Sequence, residues 1–138
     1  MSNTYLNDSN FSYIWGKIKA YIDSLISTVN YSREGFGYSI EMNNNVVDLS
    51  QGDVFIKTIS ANTTFTFTGV PESRTATFSM ILTNAGSYTI TWPSSVKWSY
   101  GDQPILSTTG IDMITFLTPD GGITWYGSLS VENAQNSL

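Results

Sequence analysis

The sequence predicts a mainly β protein: a small β-sandwich or jelly-roll-like head, preceded by one N-terminal α-helix and assembled as a trimer. Three observations predict it. From residue 46 onward, short runs of alternating apolar and polar residues recur at even spacing, separated by Gly, Pro, Asn and Asp. No second stretch with helical period follows the first, and short strands without a covering helix close as a sandwich or small barrel. Near the N-terminus, Phe11, Trp15, Ile18, Ile22, Leu25 and Val29 are spaced by alternating steps of four and three, which is a heptad stripe.

Composition sets the limits. A chain of 138 residues supports one domain plus an appendage. Only 12% of residues are charged, about half the usual share. Roughly a third are Ser, Thr or Asn, so solubility rests on neutral hydrogen-bonding groups. Thr suits exposed strands because its β-branch fits a pleated surface. The net charge of −5, without a basic stripe, argues against a nucleic-acid partner. There is no Cys and no His, which removes thiolate metal sites, disulfides and the commonest general base. No cofactor and no metal are expected. No apolar run approaches the roughly 20 residues of a membrane span, and the polar first ten residues lack a secretory pattern, so neither membrane insertion nor signal-directed export is expected.

The elements follow in order. Asp8, Ser9 and Asn10 offer N-cap groups for a helix over residues 11–29. Lys17, Lys19 and Asp23 fall off its stripe, while Ile14 and Tyr21 widen it beyond a two-stranded seam. Two readings stand: an amphipathic helix packed on its own domain, or a short parallel coiled coil between identical chains. The wide face favours three helices or an anchoring protein. Residues 31–45 read as linker, with a short strand over 39–42, so residues 1–45 form a stalk for trimerisation or anchoring. Residues 46–131 form the head. Strands are expected over 46–49, 54–59, 63–67, 75–82, 88–92, 111–117 and 123–129. Along the fourth, Ala76, Phe78, Met80 and Leu82 point inward while Thr75, Thr77 and Ser79 point out, and Ile81 breaks the pattern. Pro119, Asp120, Gly121 and Gly122 between apolar runs signal a hairpin. Residues 132–138 read as a frayed polar tail.

The stretch NAGSYTITWPSSVKW, residues 84–98, holds two tryptophans six residues apart on one folded-back ribbon. The order TNAGSYTITWPSSVKW, then GDQP, then GIDMITFLTPDGGITWYG resembles a β-module of bacteriophage fibre and appendage proteins. The resemblance spans about residues 46–130. It implies a trimeric virion module on the particle exterior, made and assembled in the host cytoplasm. About 45 residues precede it, which suits a head fibre, a capsid decoration protein or a short tail appendage rather than a long tail fibre. The implied partners are sister chains, capsid or tail proteins reached through the N-terminal helix, and a host-surface glycan or receptor.

Catalysis is not expected. Asp102, Asp112 and Asp120 each occupy a turn or strand start, a routine structural use of Asp. Asp48 and Asp53 flank a turn without a calcium-loop pattern, and Gly121-Gly122 lacks the Lys-Ser/Thr of a phosphate loop. Trp92, Trp98, Tyr100, Trp125 and Tyr126 suit either a sugar platform or the core; alternation places Trp92 and Trp125 inside. Tyr100, in a loop beside Trp98, is the best candidate for surface ligand contact. Three functions remain in view: a structural virion appendage, a host-surface binding module, and a non-viral lectin-like domain.

Overall fold

The computed structural model describes residues 7–33 and 37–135, and the side chains of all of these except residues 27–33. They form two compact units, divided after Phe36.

The first unit is the helix α1, Asp8–Arg33. It starts three residues before the expected Phe11. Asn7 is the cap: its side-chain oxygen accepts the Asn10 N–H at 2.8 Å, and its carbonyl accepts the Phe11 N–H at 2.9 Å. Asp8 then sits in the first turn, where a negative charge meets the positive end of the helix dipole. Lys19 and Asp23, one turn apart, pair at 2.7 Å on the polar side. The helix also runs past Tyr31, so the linker expected from that residue begins later. At 26 residues it is about 39 Å long.

The second unit is the head, and it is β throughout. Its strands are β1 (Ser39–Glu41), β2 (Val46–Asp48), β3 (Val54–Thr58), β4 (Thr63–Thr64), β5 (Thr66–Thr68), β6 (Ala76–Thr83), β7 (Ile90–Thr91), β8 (Val96–Lys97), β9 (Ile111–Thr118) and β10 (Trp125–Ala134). Six make one large sheet in the order β1-β3-β6-β9-β10-β8. The others make a thin second layer. There β2 pairs with β5 and β4 with β7, both parallel. Phe65 joins the two short sheets: its N–H donates to Thr91 O, and the next N–H, of Thr66, donates to Asn45 O. Residues 63–68 therefore run between β2 and β7 as one ribbon.

The chain winds three times between these layers, β1 to β2, β3 to β4–β5, and β6 to β7. Each winding lays its strands parallel to the last, so β1, β3 and β6 are parallel neighbours. The hairpin β9–β10 then adds to β6 antiparallel. The sandwich-like, mainly β head with one N-terminal helix agrees with expectation. Two boundaries do not. Residues 39–41 pair with β3, so they belong to the head and not to a linker. Residues 132–134 continue β10 rather than fraying: the Asn133 N–H donates to the carboxylate of Asp112 at 3.0 Å, fixing the strand end. Residues 136–138 lie outside the described residues. The expected strand over 88–92 contracts to two residues, because Ala85–Ser87 tightens into a 3-10 turn.

The core lies between the layers. Phe78 stacks on Phe116 at 4.9 Å and meets Phe55, Phe67 and Trp125 edge-on at 4.9–5.8 Å. These rings come from β6, β9, β3, β5 and β10, so one cluster holds five strands. Phe78, Met80 and Leu82 are fully buried while Ile81, between them, is half-buried on the opposite face. Trp125 is 2% exposed; Trp92 is only half-buried, stacked on Phe65 at 5.3 Å. The head also has a direction. β1, β3, β6 and β10 all run the same way, so Gly37 enters at one end and β10 finishes at the other.

Truncating Trp125→Ala removes the ring that seals one side of this cluster. It is expected to cost about 3–5 kcal/mol in denaturant unfolding, and a loss under about 1 kcal/mol would place the ring outside the core.

Candidate functional site

Three places merit a functional reading: the helix stripe, the aromatic end of the ribbon over residues 84–106, and the head carboxylates.

Every described side chain of α1 is exposed. Phe11, Trp15, Ile18, Ile22 and Leu25 fall on one stripe, and even Ile22, the most covered of them, is 41% exposed. Ile14 and Ile26 extend the same surface. Val29 continues the stripe in sequence, but its side chain lies outside the described ones. Scattered exposed apolar residues are ordinary; a contiguous stripe several turns long marks an interaction surface. Lys17 lies over the Tyr13 ring at 5.7 Å, on the flank of the stripe.

At the ribbon, sequence reasoning placed Trp98 and Tyr100 as surface contacts. The structure separates their roles. Trp98 is half-buried, edge-on to Trp92 at 5.6 Å and to Phe116 at 5.6 Å. Its ring lies against Gly127, where an added Cβ would clash with it. Only glycine leaves room for it there. Tyr100 is fully exposed at the tip of the following 3-10 turn, with φ of 59°. A bulky residue in the left-handed region is uncommon and costs roughly 1–2 kcal/mol. Beside this tip run two adjoining open grooves that share Thr89, Ile90, Trp92 and Gln103. The first, of about 290 Å³, extends to Tyr88, Ile105 and Leu106. Gln103 and Ile105 were not singled out from the sequence. Nothing periodic marks them, because they line the groove from an irregular loop.

Three of the head carboxylates, Asp112, Asp120 and Asp48, are committed to the fold, while Asp53 Oδ1 is buried without a hydrogen-bond partner. Asp112, fully buried, accepts the Ser107 N–H at 2.6 Å, the Ser107 hydroxyl at 2.7 Å and the Asn133 N–H. It thereby pins the 103–108 loop to the end of β10. Asp120 accepts the Thr124 N–H and the Thr118 hydroxyl, each at 2.9 Å, and closes the β9–β10 turn. The Thr124 N–H holds its carboxyl below the usual carboxylate range, so it stays ionised and is no proton donor near neutral pH. Asp48 accepts both the N–H and the hydroxyl of Ser50. Among the described residues no three acidic side chains converge as a metal site. No helix among them is long and apolar enough to cross a membrane.

The loops at the two ends of the head differ in charge. The end where Gly37 enters carries Asp53, Glu72, Arg74 and Asp120. The far end consists of residues 42–45, 59–62, 84–89, 106–110 and 134–135, which include no charged residue, although the Lys57 ammonium reaches it from β3 and donates to Met42 O at 3.4 Å and Asn44 O at 3.1 Å. They are rich in Asn, Ser and Thr, whose amides and hydroxyls are donors and acceptors without charge.

No family model matches this chain, and no curated protein or solved structure matches it at a significant level.

The strain at Tyr100 gives a direct test of its purpose. Tyr100→Gly relieves the left-handed conformation and is expected to leave stability unchanged or raise it by up to about 1 kcal/mol. A loss above about 1 kcal/mol in thermal or denaturant unfolding would make the ring structural instead.

Proposed function

We propose that this chain is a non-enzymatic structural appendage of a bacteriophage virion: a homotrimeric head fibre or capsid decoration, or a short tail appendage, that projects a β-head from the particle exterior. The single observation that carries the proposal is the helix stripe. An isolated helix gains most of its stability from packing an apolar face, and this one leaves that face in water. Sister helices and a virion protein are the surfaces that cover it, with Phe11, Trp15, Ile18, Ile22, Leu25 and Val29 at the contact. Three helices suit a stripe widened by Ile14 and Tyr21. The direction of the head supports the same reading. The chain enters the head at the end that carries Asp53, Glu72, Arg74 and Asp120, and the opposite end of the strands is rich in amides and hydroxyls.

A second reading is supported by the aromatic groove. Flat rings beside amides and hydroxyls suit an amphipathic, uncharged ligand such as a neutral host-surface glycan. The head then serves attachment as well as structure.

Native mass spectrometry at micromolar concentration is expected to show three times the chain mass. Ile22→Asp places a charge in the apolar seam and is expected to release monomers and prevent incorporation into particles. Survival of both oligomer mass and incorporation would overturn the stalk assignment. For the second reading, a glycan array probed with the intact protein is expected to give neutral-sugar signals that Tyr100→Ala or Gln103→Ala weakens. A blank array would leave the head as structure alone.

A further inference from the structure

The large sheet has an outer face, turned away from the core. Its residues follow from the register. Ile56, Ile81, Met113 and Val131 are aligned across four strands, and Leu117 pairs with Tyr126 further along. Val131, Leu117 and Tyr126 are exposed and Ile56, Ile81 and Met113 are half-buried; Glu41 pairs with Ile56 at the β1 edge, whereas the cross-strand partners of Ile81 and Met113 are all uncharged. Between the apolar rows lies a hydroxyl row, in which Thr115 bonds to Ser79 at 3.2 Å and to Ser130 at 2.9 Å. Two bonds join these three hydroxyls, so covering the row leaves a single hydroxyl proton to be satisfied across the contact.

Charge decides what covers this face. The chain carries −5, and two copies repel wherever charged surfaces approach. Across β3, β6, β9 and β10 the outward positions through the middle of this face are neutral. Its rims carry opposite signs: Glu41 shares the outer face on edge strand β1, and Lys97 shares it on edge strand β8. Copies arranged in a ring therefore bring unlike rims together rather than like ones.

Area decides when it is covered. Four strands spaced about 4.8 Å, and about eight residues long at 3.3 Å each, present roughly 500 Å². A free-standing interface needs about 800 Å² on each partner. This face is too small to bring copies together from dilute solution. It suffices once the chains are tethered, because a short tether supplies millimolar effective concentration.

We infer that the outer face of the six-stranded sheet is the contact through which the heads of sister chains pack on one another, an inference that rests on the homo-oligomer proposed above. The helix gathers the chains and the sheet face aligns the heads.

The test uses the absence of native cysteine. Thr115→Cys places a single thiol at the centre of the face in the full-length protein. Ile123→Cys places one on an exposed hairpin loop as a control. Maleimide labelling of the first thiol is expected to be slow in the assembled protein and about tenfold or more faster once Ile22→Asp is added, since the tether is then lost. The control thiol is expected to label equally in both backgrounds. Limited proteolysis that leaves the head over residues 37–135 uncut in the Ile22→Asp background certifies that the head is still folded. If Ile22→Asp yields monomers and the Thr115→Cys thiol labels no faster, the head contact is overturned while the stalk assignment stands. If the parent protein is monomeric by native mass, or if Ile22→Asp leaves the oligomer intact, the stalk reading fails and this inference fails with it.

Discussion

The head depends on one packing interaction, the meeting of Phe78 with Phe116, Phe55, Phe67 and Trp125. Its strands cannot hold themselves. Several are two or three residues long, and parallel pairs are slightly weaker per residue than antiparallel ones. Two-residue ladders such as β4–β7 have no register of their own to defend. What fixes them is that Phe65 and Phe67, on opposite sides of Thr66, both reach rings: Phe65 stacks on Trp92, and Phe67 meets Phe78, Phe116 and Trp125. A slip of one residue would turn these side chains to the other face of the ribbon. The cluster thus sets the register of the thin layer as well as joining the windings to the hairpin.

A second constraint is the scarcity of cations. With six Lys and Arg in the chain, buried carboxylates cannot rely on ion pairs. Asp112 is satisfied by two backbone N–H groups and a hydroxyl, Asp120 by a backbone N–H and a hydroxyl, and Asp48 likewise. Charge-assisted bonds of this kind are stronger than neutral ones, and buried ones are weakly screened. The cost is that each carboxylate is used up by its own loop. The same chemistry that closes the turns therefore leaves these groups without a free role in proton transfer.

How much of this was legible in the sequence follows from what each signal encodes. Period encodes faces, so the helix stripe and the inward side of β6 were readable residue by residue. The Trp92–Trp98 contact was readable because both rings lie on one short ribbon. Partner choice is not periodic. Nothing in residues 46–48 and 66–68 announces that they pair in parallel, and nothing local assigns residues 39–41 to the edge of the large sheet. The end of β10 was misread for a related reason. Glu132 and Asn133 are polar and look like a tail, but Asn133 is held through its backbone N–H, which has no side-chain signature. The Asn7 cap was missed because three equally good cap residues follow it. At the groove, the exposure of Tyr100 was readable from its loop, whereas its left-handed backbone was not, since Tyr is a poor marker of that region.

That strain and the neighbouring rigidity bear on one question, whether the groove end is a surface for contact. Strained exposed residues persist where the surrounding structure over-determines them. Here the surroundings do so: two residues before Tyr100, Trp98 is wedged between Gly127, Trp92 and Phe116, and the turn closes with the Gly101 and Asp102 N–H groups donating to Trp98 O and Ser99 O. A ring held up on such a base loses little freedom when a ligand stacks on it, so more of the contact energy appears as affinity. A flexible loop would forfeit part of that gain. The wedge of Trp98 is thus a structural device with a consequence at the surface. It links the aromatic core, which the head needs to fold, to the fully exposed ring of Tyr100.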